Sequence, residues 1–340
     1  MRLSEDVSFK IAVGGRATDP ISQAARTGDN WFLDDYRVLF GLMKQGDVVL
    51  DVGAHIGTFG LAAAALGCQV VCIEAAPENV ALLRASAAVN GFEHLHVVSG
   101  AATNHDGAVR FLPNGPWGTI ANPTVLSSPS AIYARELNPI DVPAVTIDRL
   151  LTEYALDHVD FVKLDVEGGE VAAIEGMSKL LSGHHAPVIL YESNAFALGF
   201  AGHTPDKLLK SLGELGYSSY MLDSDRLIRI REGEFRPECV ANFVAVKGDV
   251  ARIGRHEVRA QRSTSELIQA IVSKSQSDWP HERLYLAGAL AHADHSLLSS
   301  PAVRTALSVL LHDPLEGVRQ AALRSSLIIA ESSADADQLK

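Results

Sequence analysis

The chain has 340 residues, 47% of them hydrophobic and 21% charged, the fractions of an ordinary globular protein, which excludes collagen, coiled coil and wholesale disorder. Its formal net charge is −12, and residues 251–340 balance ten Lys/Arg against ten Asp/Glu, so the acidic excess lies in residues 1–250. An acidic main domain repels phosphate backbones and anionic lipid, which argues against nucleic acid or a membrane as its partner.

Three cysteines, Cys68, Cys72 and Cys239, fit a reducing cytoplasm, and residues 1–6 lack the apolar stretch of a secretory signal. No apolar run approaches the roughly 18 residues of a membrane span. A soluble cytoplasmic protein is expected.

Along the chain, a short strand-like piece at 9–13 precedes polar spacing. At 31–43 the residues Phe32, Leu33, Tyr36, Leu39, Phe40 and Met43 recur at three and four, which predicts an amphipathic helix. Strand and helix then alternate: strand 48–50, helix 58–66, strand 70–73, helix 77–89 between Pro77 and Asn90-Gly91, strand 96–98. Residues 112–143 break the pattern. Their prolines (Pro113, Pro116, Pro123, Pro129, Pro139) and many Ser, Asn and Gly predict an irregular insertion, either a binding loop or lid or a solvated loop without a role. Strand 161–164, helix 169–181 and strand 188–191 resume the alternation, followed by helix 205–215 and strands 217–222, 226–231 and 242–246. Beyond 250, four helices are expected at 264–274, 280–293, 301–312 and 314–329. Their starts are marked by Ser263 and Glu266 in capping-box spacing, by Pro301, and by Asp313 before Pro314. The expected organisation is an N-terminal segment 1–45, an α/β domain 46–250 with a mostly parallel sheet covered on both faces, and a helical extension 251–340.

The most informative segment is Asp51-Val52-Gly53-Ala54-His55-Ile56-Gly57-Thr58, between a strand and a helix. Glycine spares a Cβ where backbone approaches a ligand, and a helix start offers N–H donors. Three residues separate Gly53 from Gly57, so this is not G-x-G-x-x-G, and no Lys-Ser or Lys-Thr follows as in a P-loop. That spacing disfavours a nicotinamide oxidoreductase. Glu74 ends the next strand twenty-one residues beyond Gly53. At the carboxyl edge of an open sheet, a carboxylate there can accept both hydroxyls of a ribose; the bland alternative is a surface glutamate. Asp51 holds either the turn or a ligand's amino group, and His55 meets a ligand through its ring or its backbone.

This turn, Glu74, Lys163-Leu164-Asp165-Val166-Glu167-Gly168, Thr146-Ile147-Asp148-Arg149-Leu150 and Leu190-Tyr191-Glu192 together resemble the FkbM family of S-adenosylmethionine-dependent methyltransferases, over about residues 30–247. The resemblance implies a class I methyltransferase fold, a Rossmann-like seven-stranded sheet of order 3-2-1-4-5-7-6 with its last strand antiparallel. It implies that Asp51, Gly53, Ala54, His55, Gly57 and Thr58 wrap the methionine part of the cofactor. Glu74 takes the ribose beside Ala75, and Gly100, Ala101 and Ala102 lie beside the adenine. Three departures stand out: His55 where the family commonly has Asn, Ala75-Ala76 between Glu74 and Pro77, and Gly169 in place of Ala.

Methyl transfer to a hydroxyl needs alignment, exclusion of water and a proton acceptor. Lys163 and Asp165 share a face of their strand, with Glu167 just beyond and Glu192 ending the next. Crowded carboxylates raise one another's pKa and make a base. Asp165, Glu192 and Lys163 are therefore the catalytic candidates. Against this, Asp165 can serve the cofactor's amino group, Lys163 an ion pair, and Glu167 a helix cap. A divalent metal among these acids lacks a matching His or Asn, so none is assigned. Trp117, Gly118, Thr119 and Glu167 are candidate substrate contacts, and Trp31 and Tyr36 either close over the cofactor or belong to the core.

The segment 313–323 is similar to the second helix of a HEAT repeat, one unit at most. The extension is expected to pack on the main domain, to form a homodimer or to dock a partner. The reading as a whole is an S-adenosylmethionine-dependent enzyme that methylates a hydroxyl of a small molecule, sugar or secondary metabolite. The alternative is a non-catalytic nucleoside-binding protein whose tail is the interaction module.

Overall fold

A computed structural model of the chain describes residues 1–3, 7–15, 19–121, 138–223, 226–254 and 257–338. Its strands are β1 (Val48–Val52), β2 (Gln69–Glu74), β3 (Leu95–Ser99), β4 (Ala101–Ala102), β5 (Gly107–Leu112), β6 (Thr119–Ile120), β7 (Ile140–Val145), β8 (Phe161–Leu164), β9 (Val188–Asn194), β10 (Tyr217–Asp223), β11 (Arg226–Arg229), β12 (Val240–Lys247) and β13 (Glu257–Arg259). The mostly apolar runs of β1, β8 and β2, interrupted by Asp51, Lys163 and Glu74, are buried on both faces except at Gln69, as strands of a parallel sheet with helices on each side must be.

Nine strands form the main sheet, in the order β13-β11-β10-β12-β9-β8-β1-β2-β3. From β3 to β9 all neighbours are parallel, and β12 runs antiparallel to both β9 and β10. The two edge strands β11 and β13 extend the sheet beyond the seven that the resemblance implied. Two hydrophobic clusters flank it, one around Leu50, Leu164, Ile189 and Phe243, the other around Val49, Phe59, Leu61 and Val244. A third, separate cluster, with Ile271, Leu286, Leu290 and Leu310, lies within the C-terminal helices.

Three expectations need correction. The helix expected over 31–43 is a 3-10 turn, Trp31–Leu33, followed by the four-residue helix Arg37–Phe40. Leu33 and Leu39 still face the core, but Asp35 turns away to accept a hydrogen bond from Asn242 Nδ2 (2.6 Å). Aspartates that bond locally or across the fold compete with helix. The helix expected over 169–181 breaks at Met177 into Glu170–Gly176 and Ser178–Ser182. A Cβ at Gly176 would lie 1.9 Å from the Thr103 carbonyl oxygen, so the chain passes tightly against another backbone there. The second piece receives its own cap from Asp148, which accepts from the N–H groups of Lys179 and Leu180.

The insertion is the third. In its described part it carries β6 and β7, which join β4 and β5 in a four-stranded sheet of order β4-β7-β5-β6; residues 122–137, with Pro123 and Pro129, lie outside the described residues. The alternation of Ile140, Val142 and Ala144 with more exposed neighbours is the strand signal. The C-terminal helices are Thr264–Ser275, Pro280–Ala289, His295–Leu298, Pro301–Leu311 and Glu316–Gln338, one more than expected. Ser263 and Glu266 form the capping box. No helix among the described residues is long and apolar enough to cross a membrane.

Candidate active site

The carboxyl ends of β1, β2, β8 and β9 open into one cavity of about 680 Å³, within the range of small-ligand sites. Gly53, Ala54, His55, Thr58, Glu74, Ala75, Ala102, Lys163, Asp165, Glu167, Glu192 and Trp117 all line it, as do Trp31 and Tyr36.

Asp51, Gly57 and Thr119 are absent from that lining, and each has a partner inside the protein. Asp51 is fully buried, and its Oδ2 accepts from the Gly60 N–H (2.8 Å). It thereby caps the helix Thr58–Ala65 from a neighbouring strand. Gly57 has φ +91°, and a Cβ on it would meet Leu83 Cδ1 at 2.1 Å. Thr119 Oγ1 donates to the Glu167 carbonyl (2.7 Å), tying β6 to the turn after β8.

Gly53 does face the cavity, yet its lack of a Cβ answers to the protein as well. At φ +78°, a Cβ there would sit 1.8 Å from the Asp165 carbonyl oxygen. The turn's N–H groups are also committed internally: those of Gly53 and Ala54 donate to the Ile73 carbonyl (2.9 and 3.0 Å), and that of His55 to Glu74 Oε2 (2.8 Å). Close approach of β1's turn to β2 and β8 is thus what selects these residues. His55 has φ +52°, a left-handed conformation in which His, Asn and Asp are enriched, so His55 meets the same backbone demand as an asparagine.

Glu74 is the hub of this half. Its Oε1 accepts from the Ala76 N–H (2.7 Å) and Asn79 Nδ2 (3.3 Å) and its Oε2 from the His55 N–H, which leaves one lone pair, on Oε2. Lys163 is buried; its Nζ donates to the Gly53 carbonyl (2.7 Å) and lies 3.3 Å from Asp165 and 3.8 Å from Asp51. Burial acts to lower its pKa, but Asp165, Tyr36 and Asp51 outweigh that and raise it. Lys163 is a permanent cation at the turn.

On the far side, carboxylate oxygens of Asp165, Glu167 and Glu192 come within 4.8 Å of one another. Burial, with Glu192 and Asp165 nearby, pushes Glu167 well above the ordinary carboxylate range; burial and Asp165 do the same to Glu192. Like charges this close cannot all ionise at neutral pH. Beneath them Glu170 accepts from the N–H groups of Val166 and Gly168 (3.1 Å each) and is pushed by burial up to about 7. It shapes the loop without lining the cavity.

Asp35, Asn79, Phe111, Asn242 and Trp279 line the cavity without having been predicted. Asp35 and Asn242 lay inside periodic elements read as core, where the usable signal was a polar residue on an apolar run. Trp279 stands in the C-terminal extension, 33 residues past the end of the last expected strand at 246, and no local signal connects it to the site.

The residues present fit a polar cofactor with a ribose. Glu74 offers its remaining Oε2 lone pair. His55 Nε2 lies 3.5 Å from the buried Asp19 carboxylate, while Nδ1 is buried on the lining without a hydrogen-bond partner, and a polar ligand group beside it would satisfy it.

No curated protein sequence matches the chain. Among solved structures, it is similar to precorrin-6y C5,15-methyltransferase of Geobacter metallireducens, at 12% identity over 70% of this chain and 94% of the other, with TM-score 0.38. It is similar to an O-methyltransferase of Bacillus cereus in complex with SAH, at 12% identity over 66% and 86%, with TM-score 0.36. A TehB-like SAM-dependent methyltransferase of Corynebacterium glutamicum shares 13% identity over 66% and 93%, with TM-score 0.36. Scores this low leave the assignment to sequence. The methyltransferase FkbM domain matches residues 51–219, from the end of β1 into β10. Residues 51–219 are thus a methyltransferase FkbM domain, the S-adenosylmethionine-dependent family that the sequence motifs resemble.

Proposed function

We propose that this cavity methylates a hydroxyl on a small-molecule acceptor, with Glu192 as the proton acceptor. The single observation behind the reading is the convergence of Asp165, Glu167 and Glu192 within 4.8 Å at the cavity. When bound, S-adenosylmethionine supplies an electrophilic methyl group. The chain's own residues do the rest.

In this reading Glu74 accepts a ribose hydroxyl through the lone pair its internal contacts leave open on Oε2, and Nδ1 of the His55 ring takes a polar group of the amino-acid end. Ala101 and Ala102 form an apolar wall beside the adenine. Lys163, held charged, is a positioning residue: it fixes the Gly53 carbonyl and Asp165 and does not accept a proton. Burial and the neighbouring carboxylates push both Glu167 and Glu192 above the ordinary carboxylate range, which makes an ionised member of the pair a stronger base toward the acceptor hydroxyl. The ionised member withdraws the hydroxyl proton as the oxygen attacks. The acceptor is a small molecule because the cavity volume suits one.

Calorimetric titration with S-adenosylmethionine and S-adenosylhomocysteine, with NADH as control, tests the cofactor half; micromolar binding of the first two and none of NADH is expected. Glu192→Gln tests the chemistry. It should keep S-adenosylhomocysteine affinity within about threefold while transfer of a labelled methyl to hydroxyl acceptors falls about 10²–10⁴-fold, the usual worth of a general base. Retained transfer would remove Glu192 from this role.

A further inference from the structure

The chain has three tryptophans, Trp31, Trp117 and Trp279, and all three line the one cavity. They arrive from three separate segments: the N-terminal 3-10 turn, the 3-10 turn Gly115–Trp117 of the insertion, and the start of the helix Pro280–Ala289 in the extension. All remain exposed, at 53%, 44% and 61%. Large aromatic residues are ordinarily among the better buried, so an exposed set converging on one opening marks a binding surface.

Trp279 is held in place. Its backbone N–H donates to Ser277 Oγ (3.2 Å), and its ring stands edge-on to His281 at 5.5 Å between centroids. His281 in turn packs on Phe196 at 5.8 Å, and Phe196 belongs to the helix Ala195–Phe200 that directly follows β9 and Glu192. The extension is pinned to the sheet edge by Glu266, which accepts from Arg226 (2.9 Å) and Arg259 (3.0 Å), and by the Arg262–Glu238 pair at 2.5 Å. Phe235 packs against the extension's own core. The tail is therefore a fixed wall of the cavity.

We infer that the three tryptophans form the acceptor subsite, with the C-terminal extension supplying one side of it through Trp279, and that the subsite takes a flat-faced acceptor bearing no negative charge. The tryptophans provide broad apolar faces for stacking. The charge condition follows from the lining: Asp35, Glu74, Asp165, Glu167 and Glu192 face one lysine, Lys163, the only Lys or Arg lining the cavity among the described residues. Lys163 is already occupied by Gly53, Asp165 and Asp51, so an anionic acceptor would enter against uncompensated carboxylates. The inference rests on the methyl-transfer reading for which end of the cavity receives the acceptor.

The probes are 2-naphthol and 2-naphthoate, one ring system without and with a negative charge at neutral pH, titrated by calorimetry into the full chain saturated with S-adenosylhomocysteine. Wild-type protein should prefer 2-naphthol by about tenfold or more. Trp279→Ala should weaken 2-naphthol binding about tenfold, the scale of one lost stacking face, and Trp279→Phe should restore most of it. Leu327→Ala, an exposed change elsewhere on the extension, should leave it unaltered. S-adenosylhomocysteine affinity and the unfolding midpoint should not move in any variant. Equal 2-naphthol affinity in Trp279→Ala, equal or tighter naphthoate binding, or no 2-naphthol binding by the wild type would each overturn the inference. Failure of S-adenosylhomocysteine to bind, with Trp279-dependent 2-naphthol binding intact, would instead sink the cofactor reading and leave the subsite standing.

Discussion

The two halves of the cavity are built in opposite ways. The half around Gly53, His55 and Glu74 consists of residues at the ends of two adjacent strands, β1 and β2, whose polar groups are spent on one another, on Ile73 and on Lys163. The half around the tryptophans consists of exposed side chains brought in from residues 31, 117 and 279. In the first half, geometry of the site and stability of the sheet are the same thing. In the second, a side chain can be removed with little effect beyond the surface it offered. Mutations should therefore separate the halves by what they damage.

The largest effect belongs to Gly53→Val. A Cβ 1.8 Å from the Asp165 carbonyl, at φ +78°, forces β1's turn away from β8. Strain and overpacking together should cost about 2–6 kcal/mol, seen as a lowered denaturation midpoint together with lost S-adenosylhomocysteine binding. Loss of binding at unchanged stability would mean that the glycine serves the ligand alone and that the contrast between the halves is false.

Next comes Glu170, buried under the loop that joins the halves. Its carboxyl, ordinarily at 4.5, is pushed by burial to about 7. The folded state then keeps a proton that the unfolded chain has released. Its contribution is full below about pH 4.5, is lost as pH rises toward 7, and is level above that. Glu170→Gln cannot ionise, so its stability relative to wild type should improve by about 2–3 kcal/mol between pH 5 and pH 8. Urea unfolding at the two values measures this, and a difference that does not change with pH would place the ionised carboxylate in the native state.

Glu74→Gln should weaken S-adenosylhomocysteine binding by about 1–3 kcal/mol, because an amide keeps only one acceptor oxygen and carries no charge. It should also lower stability, since Glu74 accepts from His55 and Ala76. Trp279→Ala is the opposing case, expected to alter neither. Calorimetry and thermal unfolding of the two variants side by side show whether the division holds.

The same division explains what could be read from the sequence. The turn after β1, Glu74 at the end of β2 and the Lys163-to-Glu167 run after β8 were legible because strand ends fix their places and the parallel order brings those ends together. Asp51 was legible as a turn residue but not as the cap of the helix Thr58–Ala65, because that bond depends on how the helix folds back on its strand. The short strands β4 to β7 were hidden by prolines and glycines whose pairing is long-range. Trp279 and the Asp35–Asn242 bond, which joins positions 207 apart, carry no local pattern at all. Their arrival at the cavity is set by docking of whole segments.

Thr119 gives the smallest and most discriminating case. The sequence marks it as a substrate contact, whereas its hydroxyl donates to the Glu167 carbonyl at 2.7 Å and is absent from the cavity lining. Thr119→Val keeps the shape and removes one hydrogen bond, so stability should fall by about 0.5–1.5 kcal/mol. Because the bond tethers the loop that carries Glu167 and touches no acceptor, 2-naphthol affinity should stay within about twofold, where Trp279→Ala loses about tenfold. If Thr119→Val instead weakened 2-naphthol as much as Trp279→Ala did, with stability intact, the hydroxyl would be facing the acceptor. The small sheet would then belong to the exposed half of the cavity, whereas a stability loss at constant affinity assigns it to the half in which side chains hold backbone in place.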